Sequence, residues 1–187
     1  VADGGNPVTS TVSRIDYSSD TGTIPTKGPL SVARRGAKGM GNNDYGYFGG
    51  GEPGPFSTVD RVDYSNDTAT ASPKGPMSSA RYRLGSVSNL NYGYLAGGQP
   101  SISTVDRVDF SNDTATMLAR GPLSQGRKYS PGAGNSDYGW FAGGDDDKST
   151  IDRIDYSSDT STAAARGPLS RSVGHMGGTG NTSYGYF

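Results

Sequence analysis

Four times along the chain an arginine stands two residues before an aspartate, as Arg14-Asp16, Arg61-Asp63, Arg107-Asp109 and Arg153-Asp155. In three of these copies another acid precedes the arginine, at Asp60, Asp106 and Asp152. Guanidinium and carboxylate groups at this spacing could present a ring of equivalent ligand sites, or brace one another as ion pairs. Charges placed within the strands of a packed array need partners, so the motif reads as a ladder of structural ion pairs between adjacent units.

A second recurring set is aromatic. Tyr45, Tyr92, Tyr138 and Tyr184 are each followed two residues on by Tyr47, Tyr94, Trp140 and Tyr186. Rings of this kind can stack on sugars, although a sheet covered on both faces places most of them in the core. Trp140 is the first choice for a ligand contact, with Tyr45, Tyr92, Tyr138 and Tyr184 behind it. Asp145, Asp146 and Asp147 could offer carboxylate oxygens to a hard cation, but an exposed acidic turn explains them more simply. Asn66, Asn112 and Asn181 each begin an Asn-x-Ser/Thr glycosylation acceptor, and the first two fall on expected turns. His175, the single histidine, has no serine or carboxylate at a relay spacing and reads as an ordinary strand residue. These residues assemble neither a catalytic set nor a cofactor motif, so the expectation is a protein that is not an enzyme and uses no cofactor.

Composition narrows the elements that must carry these groups. The chain holds 30 glycines and 11 prolines, as expected of short strands joined by tight turns. Hydrophobic residues make up only 31%, yet aromatics reach 10% and recur at fixed positions, which argues for a folded chain. With 17 basic and 18 acidic residues the net charge is -1, and no basic block marks a nucleic-acid partner. No apolar run is long enough for a membrane-inserting helix. The absence of cysteine removes disulfides, thiolate metal sites and a thiol nucleophile together.

The spacing of the motifs defines a repeat of about 46 residues. Ser-Thr pairs begin at Ser10, Ser57, Ser103 and Ser149, spaced by 47, 46 and 46. The segments 57–70 and 103–116 differ at a single position of 14, Tyr64 against Phe110. Within one copy, 58–65 predicts a strand ending in an Asn66-Asp67 turn, and 68–72 a second strand stopped by Pro73. A loop through Gly75-Pro76 follows, then a third strand over 81–88 and a short fourth over 92–96. Helix caps and a 3.6-residue apolar period are missing.

The succession Tyr45-Gly46-Tyr47-Phe48-Gly49-Gly50, Val62-Asp63-Tyr64, Gly75-Pro76-Met77 and Ala80-Arg81 resembles the kelch repeat, and the likeness covers essentially the whole chain. Two departures are plain. The tryptophan usual after the hairpin is replaced by Gly22, Ala69, Ala115 and Ser161, and the arginine after the proline step becomes Val173 in the last copy. The phrasing of the unit is also similar to repeats in structural proteins of marine tailed phages.

The resemblance implies an all-β propeller of four four-stranded blades in one domain, residues 1–187, closed when the C-terminal strand 184–187 completes the blade begun by 6–17. The competing arrangements donate that strand to a neighbouring molecule, or make these four copies part of a longer array. The expected function is a structural or attachment module of a virion tail or capsid fibre. Its partners would be other structural subunits or cell-surface glycans, and its location virion or extracellular. The alternatives are a carbohydrate-binding propeller, and a subunit of an extracellular filament assembled as a homo-oligomer by strand exchange.

Overall fold

A computed structural model describes residues 8–145 and 148–187. It is all-β, with two single-turn 3-10 segments as its only helix among the described residues. The chain begins with a two-stranded hairpin, β1 (Val12–Ser13) and β2 (Thr26–Lys27). Three four-stranded antiparallel sheets follow. The first is β3 (Lys38–Gly41), β4 (Tyr45–Gly49), β5 (Val59–Asp63) and β6 (Ser72–Lys74), hydrogen-bonded in chain order. The second is β7 (Gly85–Ser88), β8 (Tyr92–Ala96), β9 (Val105–Asp109) and β10 (Leu118–Arg120). The third is β11 (Gly132–Gly134), β12 (Tyr138–Ala142), β13 (Ile151–Asp155) and β14 (Ala164–Arg166). A second two-stranded sheet, β15 (Thr179–Gly180) and β16 (Gly185–Tyr186), closes the order.

Each full sheet thus joins the aromatic strand pair of one copy to the hairpin of the next. The register is the same each time: Tyr45 lies opposite Asp63, Tyr92 opposite Asp109 and Tyr138 opposite Asp155. Four copies therefore give three full sheets and two half-sheets, an arrangement of the β-propeller-like class. The expected closure differs. Among the described residues β15–β16 pair only with each other and β1–β2 only with each other, so no closed ring is formed by them. Each half-sheet packs on its own neighbour: Val12 and Leu30 at the first hairpin meet Val62 and Ala71 at the hairpin of the first full sheet, while β15 and β16 lie against β11. Part of the expected closing segment, residues 6 and 7, lies outside the described residues.

The core sits between sheets. Met40, Tyr47 and Val59 of the first full sheet meet Leu95, Val108 and Phe110 of the second. Val87, Tyr94 and Val105 of the second meet Phe141, Ile154 and Tyr156 of the third. Burying one such large side chain contributes about 1.5–3 kcal/mol, so a sheet deprived of its neighbour loses most of its support.

Pro73 does not stop a strand; it stands within β6, opposite Asp60. Because β6 is the outer edge of its sheet, its missing N–H interrupts no ladder beyond. The third strand is shorter than expected, starting at Gly85 because 76–84 forms the crossing between sheets. The hairpin strand stops at Asp63, whose carboxylate accepts from the Ser65 N–H and starts a 3-10 turn over Tyr64–Asn66.

Candidate functional site

Two layers of charge join the repeats. In the first, the crossing loop drives an arginine into the sheet that follows it. Arg34 Nη2 donates to Asp60 Oδ2 at 2.7 Å, Arg81 to Asp106, and Arg127 Nη2 to Asp152 at 2.8 Å. All six side chains are essentially inaccessible to solvent. Further Nη protons go to main-chain carbonyls, such as Thr150 and Gly143 for Arg127, while the buried Nε–H groups have no hydrogen-bond partner among the described residues. Burial pulls the pKa of these arginines downward, and the adjacent carboxylate opposes that shift.

The second layer crosses from sheet to sheet. Arg14, Arg61 and Arg107 donate to Asp67, Asp113 and Asp159 of the next sheet, at 2.8, 2.7 and 2.7 Å. Lys27 and Lys74 reach the first two carboxylates, and Arg120 the third. The hydroxyls of Tyr47 and Tyr94 donate to Asp113 and Asp159, and their rings stack on Phe110 and Tyr156.

An ion-pair ladder between units is therefore present, but with different acids from those expected. Asp16, Asp63, Asp109 and Asp155 do not pair with the arginine two residues earlier. Each accepts from the hydroxyl and N–H of the serine two residues on, which holds its carboxyl below the usual range. Strand alternation explains the difference, since residues two apart share a face but point side by side, not at each other. Arg153, the fourth arginine, forms no ion pair among the described residues and lies over the Tyr138 ring at 4.2 Å.

The aromatic candidates divide in two. Tyr45, Tyr92 and Tyr138 are half-buried beneath Arg61, Arg107 and Arg153, each guanidinium 4.2 Å from the ring centre. Trp140 and Tyr184 instead line one cleft of about 200 Å³ with Asn181, Arg166 and Phe187, between the third full sheet and β15–β16. Tyr184 is exposed. Trp140 occupies the position of the fully buried Tyr47 and Tyr94, yet remains partly open. Aromatic faces beside an amide and a guanidinium can take a sugar ring or a protein side chain.

Asn66 and Asn112 lie on exposed turns, whereas the Asn181 side chain accepts from the N–H groups of Ser183 and Tyr184. Asp145 is described, while Asp146 and Asp147 lie outside the described residues. Among the described residues no cluster of three potential metal ligands occurs. His175 is not in a strand. It sits in a loop at φ 60°, with Nε2 3.2 Å from Asp145 and its ring against Tyr129 at 3.6 Å. Arg83 and Tyr129 hold the same left-handed conformation one repeat apart, and Arg83 lies over Tyr129 at 4.8 Å.

Residues that sequence reasoning missed are Asp67, read only as part of a turn, its equivalents Asp113 and Asp159, and the pairing of Arg34, Arg81 and Arg127 with the acid before the Arg-x-Asp motif. A signal existed: the acid occurs in copies two to four and the arginine in copies one to three, as an offset partnership requires. No family model matches the chain, and no curated protein matches it. Among the described residues no helix is long and apolar enough to cross a membrane.

Proposed function

We propose that the chain is a structural or attachment module without enzymatic activity, a kelch-like propeller of four blade equivalents that presents a rigid surface in a virion fibre or another extracellular assembly. The observation that carries this reading is the use made of the repeated chemistry. The recurring arginines, aspartates and second-strand tyrosines bind crossing loop to sheet and sheet to sheet. Such a lattice favours shape retention under load over turnover. Mass spectrometry of purified virions from the source is the direct test: the chain is expected among the stoichiometric structural proteins, and its consistent absence would overturn the virion assignment.

A carbohydrate-binding role is the second reading, favoured by the cleft that gathers Trp140, Tyr184, Asn181 and Arg166. Glycan-array binding that disappears in Trp140→Ala is the expected result, and binding unchanged by that substitution would exclude the cleft.

A further inference from the structure

The two half-sheets carry complementary departures from the repeat. Among the described residues the aromatic strands β15–β16 pair with no hairpin, and the hairpin β1–β2 with no aromatic strands. In the full sheets the buried arginine at 34, 81 or 127 meets the aspartate at 60, 106 or 152. Val173 holds that arginine's backbone place: its carbonyl accepts from Gly144 N–H at 3.0 Å, as those of Arg81 and Arg127 accept from Gly51 and Gly98. Ser13 holds the aspartate's place in the first copy. Losing one partner alone strands a buried charge, which is heavily penalised. Both are lost here, and they are the two that meet only if β16 is joined to β1.

Other positions are kept although nothing among the described residues requires them. A Cβ on Gly28, Gly75 or Gly121 would lie 1.8, 1.7 or 1.8 Å from the carbonyl oxygen of Ala69, Ala115 or Ser161, whereas around Gly167 nothing lies within 4 Å. The carbonyl that would abut Gly167 is that of Gly22. Gly46, Gly93 and Gly139 make room for the rings of Tyr64, Phe110 and Tyr156. Gly185 repeats them, and the matching ring is Tyr17, which is 91% exposed. Asp20 matches Asp67, Asp113 and Asp159, while Arg153 and Arg166, the matches of Arg107 and Arg120, form no ion pair among the described residues.

We propose that the end surfaces are an interface between copies of this chain: β1–β2 of a second copy pair with β15–β16 to complete a sheet, Tyr184 opposite Asp16 and Tyr186 opposite Arg14. In this seat Tyr17 enters the cleft at Trp140, and Asp20 meets Arg153 and Arg166. The occupant is a second copy, because the two positions that depart together from the buried Arg–Asp pair, Val173 and Ser13, lie at separate sheets of one chain and face each other where one copy's β16 meets another's β1. This inference rests on the propeller-like reading of the repeats.

The test is light scattering and native mass spectrometry of the full chain across a concentration series. The wild type is expected to associate head to tail. Val173→Arg or Ser13→Asp alone weakens association roughly 100-fold by burying an unpaired charge, and the two combined restore it. An equimolar mixture of the two single variants also recovers association, because the new charges meet in trans. Gly167→Val weakens association without altering unfolding of the isolated chain. A monomer at every concentration overturns the proposal. If unfolding of that monomer then shows Val173→Arg and Ser13→Asp to be energetically coupled, the chain closes on itself; without coupling, no such sheet forms. Coupling between Arg81 and Asp106 in the same unfolding assay tests the propeller-like reading separately, since that pair lies within one chain.

Discussion

The hydroxyl of Tyr47 donates to the carboxylate of Asp113 at 2.9 Å, across a sheet boundary and 66 residues along the chain. Burial raises the hydroxyl's pKa far above its ordinary value, and Asp113 pushes the same way. The tyrosine is thus a permanent donor, and its ring on Phe110 seals the same boundary. Tyr47→Phe keeps the stack and removes the hydrogen bond, leaving Arg61 and Lys74 on Asp113. The expected cost is about 1–2 kcal/mol in urea unfolding. Tyr45→Phe, whose ring lies under Arg61, is expected to stay within about 0.5 kcal/mol.

Arg81 and Asp106 are both withdrawn from water, so each depends on the other. Asp106→Asn and Arg81→Met are each expected to destabilise by about 3–5 kcal/mol. Arg81→Val combined with Asp106→Ser, which copies the residues at 173 and 13, is expected to cost less than the two single changes together. Denaturant midpoints at constant m-value provide the measurement.

Gly75 faces a carbonyl that leaves no space for a side chain, since an added Cβ would lie 1.7 Å from the Ala115 oxygen. Gly75→Ala is expected to separate the first and second full sheets locally and cost about 3 kcal/mol. That corresponds to a melting temperature lower by about 6–12 °C for a chain of this size. Gly22→Ala, with nothing within 4 Å, is the control and leaves the melting temperature nearly unchanged.

Hydrogen bonds from the Ser65 hydroxyl and N–H keep the Asp63 carboxyl below its ordinary pKa. Because the folded value is the lower one, the turn gains stability above the unfolded value of about 3.9 and loses it as the pH falls through the folded value. Carboxyl-carbon NMR is expected to show Asp63 titrating below the ordinary range, and Ser65→Ala to move it back upward. An unchanged titration in Ser65→Ala would remove the serine as the cause.

The strand over Tyr92–Ala96 is readable to the residue, because alternating aromatics bounded by Asn-Leu-Asn and Gly-Gly admit little else. So is the need for charges in strands to find partners. Which partners they find is not. Asp67 follows an asparagine and precedes a threonine, a local pattern that reads as a turn, and its guanidinium lies 53 residues away in another copy. Pro73 reads as a stop because a period alone does not say which strand is an edge. His175 reads as a strand residue because no local residue type demands its positive φ. Gly36, Arg83 and Tyr129, one repeat apart, share that conformation, and only the glycine announces it.

The carboxylates at 67, 113 and 159 bind each sheet to the preceding one and to no other, so force applied along the chain passes through these joints one at a time. Stretched from its ends, the molecule would yield in discrete steps. Each step frees one repeat, about 150–165 Å of extended backbone for a period near 46 residues. The half-sheet β15–β16, which no such carboxylate holds among the described residues, would part first. The row of charged joints thus makes the fold a chain of nearly equal mechanical links, able to lose one link and still hold.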